Sequence, residues 1–177
     1  MAGPPFTLEL VRSSTRTLTV NASVAFVAAQ SVVVLLHETS HLVAGLALGY
    51  ANVMYPFGVE HFPLPGRTEA TIMALTGPVF SLVTGLLALV IMPWRQSRGF
   101  LHLAWLWFAY MSVMEGAGYL VLTPFGVGDT GSTAAAYGSP AYLIWPAFAL
   151  GVALPFWLAR RSLFDARSYT PPGAVSA

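Results

Sequence analysis

Inside a long apolar stretch of the chain stands His37-Glu38-Thr39-Ser40-His41. In a helix, residues four apart share a face, so both imidazoles can turn toward one ion. Glu38 lies about 100° round the same helix, beside them. Zinc-dependent hydrolysis needs these groups: His37 and His41 as ligands, and Glu38 as general base for an activated water. The alternative is a set of polar side chains packed in a bundle with no ion. Unpaired, they would cost several kcal/mol in hydrocarbon, which weighs against that alternative.

A catalytic zinc site has three protein ligands and an open position. The chain has no cysteine, so the third ligand must be His, Asp or Glu. Asp129, between Gly128 and Thr130-Gly131, is preferred. It follows the later end of the third apolar segment, which runs parallel to the first. Asp129 and the histidine motif are therefore expected near the same membrane face. The flanking glycines let backbone approach an ion closely. Glu115 is the rival, because a carboxylate in mid-membrane demands a partner. It could be a ligand, an acceptor for a ligand imidazole or a proton relay. Glu60, His61 and Glu69 read as solvated, and His102 as interfacial on the opposite face.

The elements that must hold these groups follow from composition. Of 177 residues, 56% are hydrophobic and only 8% charged. A soluble domain carries about 25% charged residues, so the chain reads as an integral membrane protein in a lipid bilayer. The net charge of +1 and scattered arginines argue against a nucleic-acid partner. The first apolar segment is too long for a cleaved signal and carries the motif, so it is expected to be retained.

Four apolar segments stand out, at about Val20–Leu48, Ala70–Trp94, Phe100–Leu122 and Ala141–Ala159. Each reaches the roughly 20 residues that a spanning helix needs. The expected fold is all-α: a polytopic bundle of about four transmembrane helices. Tyr50, Trp94, Tyr142 and Trp157 are placed as interfacial anchors. Prolines and glycines predict irregular loops at 51–68 and 123–139, near the site. Residues 1–177 form one domain with a core of about 20–160, and 1–16 and 168–177 are expected to be flexible.

Gly45 and Gly49 have the spacing of a helix contact. Thr76, Ser81, Thr84 and Ser112 offer polar lining. Trp105, Trp107, Phe108 and Tyr110 read as core or lipid-facing, and Pro146 and Pro155 as kinks. Seven arginines fall on one side of a four-span topology and only Arg67 on the other. This places both termini in the cytoplasm, with the cell membrane as the expected location.

Three elements then line up in order: the motif at 37–41, Gly77-Pro78-Val79-Phe80-Ser81, and Pro124 followed by Asp129. Together they resemble the site-2 protease family of intramembrane zinc metalloproteases over about residues 32–131. Thr130 stands where the family has glycine after its aspartate, and Val121 near the family's asparagine. The resemblance implies that His37, His41 and Asp129 bind Zn2+, that Glu38 is the catalytic acid/base, and that a membrane-embedded peptide is cut. The competing readings are a non-proteolytic zinc protein, acting as a pseudoenzyme or complex subunit, and a small transporter with a His/Glu/Asp ion path.

Overall fold

A computed structural model describes residues 8–91 and 99–166, with side chains over 16–91 and 99–160. Trp94, the Arg95–Arg98 turn and the tail from Arg167 lie outside the described residues. The order is helix α1 (Leu8–Ala47), strands β1 (Ala51–Tyr55) and β2 (Gly58–Phe62), helix α2 (Arg67–Ile91), helix α3 (Phe100–Leu122), a 3-10 turn (Thr123–Phe125), helix α4 (Gly128–Ala136) and helix α5 (Ala141–Ala166).

Three stretches are long and apolar enough to cross a membrane: Arg16–Ala47, Arg67–Ile91 and Ala141–Arg160. The third expected span, α3, has 23 residues and carries His102 and Glu115 among its side chains. It packs against α1, α2 and α5 at once. Ala109, Val113 and Ala117 lie fully inside this contact. His102 is also buried.

α1 is 40 residues long. At 1.5 Å per residue it extends about 60 Å, twice the hydrocarbon thickness. Residues 8–16, within the segment expected to be flexible, belong to this helix.

Two sequence expectations fail at the loops. Residues 51–62 are not irregular but form an antiparallel hairpin, pairing Ala51 with Phe62 through to Tyr55 with Gly58. The fold is therefore mostly helical with a small two-stranded sheet, not all-α. Gly45 explains the docking of this hairpin. A Cβ there would collide with Asn52 and His61, so the contact at Gly45 is with the hairpin rather than a second helix. The 123–139 segment is likewise ordered, as the 3-10 turn and α4. Gly126 and Gly128 take φ of 68° and 67°, a left-handed backbone that side-chain-bearing residues avoid. These turns fold α4 back onto α2 and α3.

Candidate metal centre

α1 presents His37 and His41 one turn apart, with Nε2 atoms 3.0 Å from each other. α4 supplies Asp129, whose Oδ2 lies 3.2 Å from His37 Nε2 and 3.3 Å from His41 Nε2. His37, His41 and Asp129 thus form a group that could hold a metal ion. Glu115, Glu60, His61, Glu69 and His102 are not part of it.

α2 shapes the groove that receives the imidazoles. A Cβ at Gly77 would collide with Nε2 of both His37 and His41. The residue must be glycine for the two rings to occupy this space. One turn along, Ser81 Oγ lies 3.2 Å from His37 Nδ1. Met73, one turn before Gly77, directs its carbonyl at His41 Nδ1, 2.7 Å away. A carbonyl can only accept, so His41 Nδ1 carries the proton, and when the ring is neutral Nε2 presents its lone pair. Pro78 sits within α2 just after Gly77.

α3 and α4 fix the third donor. The Thr130 hydroxyl donates to the Tyr119 carbonyl and accepts from Thr123 Oγ1 at 2.9 Å. These bonds tie the first turn of α4 to the end of α3. Asp129 lies in that first turn, where the helix dipole favours a negative group. The Tyr119 ring stacks on His37 at 4.9 Å and 12°, closing that side.

The centre is buried on one side and open on the other. Side-chain exposure rises from 1% at His37 to 26% at Asp129, so access is from the Asp129 side. Glu38 is buried. It is within electrostatic reach of His37, His41 and Asp129. Its Oε2 has no hydrogen-bond partner among the described residues.

The donor set fits a tetrahedral ion. Metal–ligand bonds of about 2.0–2.1 Å require ligand atoms about 3.3 Å apart. The three observed separations, 3.0, 3.2 and 3.3 Å, are close to that.

Sequence reasoning did not find Tyr119, Met73 or the Asn52–His61 pair. Met73 acts through its backbone and leaves no residue-type signal. Tyr119 could have been found from its position, one turn before Thr123 on the segment leading to Asp129. No protein family, curated protein or solved structure matches the chain.

Proposed function

We propose that the chain is an intramembrane zinc metalloprotease of the site-2 protease type, hydrolysing peptide bonds of membrane-embedded substrates. The observation that carries this reading is the convergence of His37, His41 and Asp129 beside a buried Glu38 oxygen with no partner. Two imidazoles and one carboxylate, all nitrogen and oxygen donors, suit zinc and leave a fourth position open. Zinc bound there supplies a Lewis acid that polarises a carbonyl and lowers the pKa of water.

The chain's own residues do the rest. Ser81 and the Met73 carbonyl orient the two rings, and Tyr119 braces His37. Glu38 takes the proton of the attacking water and passes it to the departing amine. A peptide bond within a membrane helix is shielded by its own hydrogen bonds, so the substrate must unwind before it is cut. The hairpin next to α1 gives an extended segment a strand to pair with.

Three helices support a membrane setting by length and composition. In this reading α3 is a fourth span, shielded by its neighbours, and the arginine asymmetry puts both termini in the cytoplasm.

The test is purified full-length protein in lipid vesicles with designed transmembrane peptides. About one zinc per chain and peptide cleavage are expected. Glu38→Gln should keep the zinc and abolish cleavage. Zinc binding without cleavage of any peptide by the unmutated chain would refute the protease reading and leave a zinc-binding membrane protein.

A further inference from the structure

A second cavity borders the metal centre. It has a volume of about 590 Å³ and lies between α3, the start of α4 and α5. Tyr119 and Gly128 belong to its wall. The first stacks on His37, and the second adjoins Asp129 in the chain. The cavity therefore shares its boundary with the ligand set.

Two features of the wall are unexplained by packing. Glu115 is the one charged side chain in it, half-buried among apolar neighbours. It forms no salt bridge or hydrogen bond with any described residue. A charge among apolar neighbours is favoured by an opposite partner. Gly118 is the second feature. It sits in the middle of α3, where glycine weakens a helix relative to alanine. No neighbouring helix requires it, because a Cβ there would meet nothing within 4 Å. Its missing side chain instead leaves the cavity open.

Distance sets what can enter. From Tyr119 to Glu115 is one turn of α3, about 6 Å. A lysine side chain reaches roughly 6 Å from its Cα to its ammonium, and arginine slightly further. A basic residue with its backbone near the metal centre can therefore reach the Glu115 carboxylate.

We propose that this cavity is a specificity pocket for a lysine or arginine side chain next to the cleaved bond, with Glu115 as the recognising charge and Gly118 keeping the pocket open. The assignment rests on the protease reading.

The test uses the full chain, loaded with zinc, in lipid vesicles. A library of transmembrane peptides with randomised residues is digested, and mass spectrometry reads the cut positions. Lysine or arginine should be enriched at one fixed distance from the cut. Affinity is then measured by fluorescence anisotropy in the Glu38→Gln background, which does not cleave. A peptide with lysine at that position should bind at least about tenfold tighter than its leucine counterpart. Adding Glu115→Gln, or separately Gly118→Phe, should remove the difference while zinc content stays at the level of the unmutated chain.

Three results would overturn the pocket: cleavage without basic enrichment, a lysine preference that survives Glu115→Gln, or an equal loss of affinity for both peptides. Loss of zinc in Glu115→Gln would also overturn it, because Glu115 would then serve the metal centre. If the unmutated chain cuts no peptide, the protease reading fails and takes the pocket with it. If it cuts without preference, only the pocket fails.

Discussion

One methyl group at position 77 should empty the metal centre. Replacing glycine by alanine inside a helix ordinarily gains about 1 kcal/mol. At Gly77 the new Cβ would stand 2.5 Å from His37 Nε2 and 2.6 Å from His37 Cε1, and would collide with His41 Nε2 as well. Ordinary contact begins near 3.4 Å, so α2 and the imidazoles must separate by about 1 Å. Overpacking of this kind costs about 1–3 kcal/mol, which the gain in helix propensity partly offsets. The fold should therefore survive. Metal binding should not, because ligand distances tolerate only about 0.2 Å. Loss of an outer hydrogen-bond partner alone weakens metal sites about 10–100-fold. Displacing the ligand rings themselves should cost at least 100-fold, about 2.7 kcal/mol. Competition against a chromophoric chelator reads the affinity, and circular dichroism checks that helix content is retained. Gly118→Ala is the control: nothing obstructs its Cβ, so its zinc affinity should match that of the unmutated chain. Zinc affinity unchanged in Gly77→Ala would mean that the two rings do not meet an ion in this groove.

Three further outcomes are expected. Asp129→Ala should lose stoichiometric metal while Glu115→Ala retains it, as read by elemental analysis after gel filtration; the reverse pattern would transfer the third ligand to Glu115. Ser81→Ala removes the side-chain partner of His37 Nδ1 and should weaken zinc binding about 10–100-fold with the fold intact, measured by the same chelator competition. The hairpin should loosen in acid. Burial lowers the His61 pKa below the ordinary histidine value of about 6.5, so protons favour the unfolded hairpin. Its contribution to stability is present above that value and lost as pH falls below it. Amide exchange over 51–62, corrected for intrinsic rates, should show less protection near pH 5 than near pH 7, and His61→Gln should flatten the difference.

Much of the candidate site was legible because helical periodicity is local information. The four-residue spacing of His37 and His41 is enough to predict a shared face. Asp129 was reached by a topological argument, that parallel segments end on the same side, and the structure does bring it to both histidines. The hairpin is not legible in the sequence because Pro56, Pro63 and Gly66 read as signs of irregular chain. Those residues lie in the turn and beyond the strands, and the paired residues Ala51–Tyr55 and Gly58–Phe62 contain no proline. α4 was missed for a related reason. Gly126 and Gly128 serve the turn before and at its start, not the interior of the helix, where Ala134–Ala136 follow.

The arrangement of lone pairs bears on whether an ion belongs at this centre at all. Hydroxyls elsewhere in the helices satisfy themselves: Thr39, Thr71 and Thr84 donate to the carbonyls of Leu35, Arg67 and Phe80, four residues earlier. The three donor atoms at the centre have no such outlet and face one another. Without a metal, a proton on His37 Nε2 could bridge to Asp129, with Ser81 donating to His37 Nδ1. That proton answers one of the three contacts. With His41 neutral and its proton held on the other nitrogen by the Met73 carbonyl, it leaves His41 Nε2 opposite Asp129 Oδ2 at 3.3 Å, acceptor against acceptor. A divalent cation satisfies all three contacts at once, and it explains why Gly77 gives up a side chain so that both rings fit. The two cases separate experimentally. In the proton-bridged case Ser81→Ala should leave metal content unaffected. In the cation case it should weaken the metal.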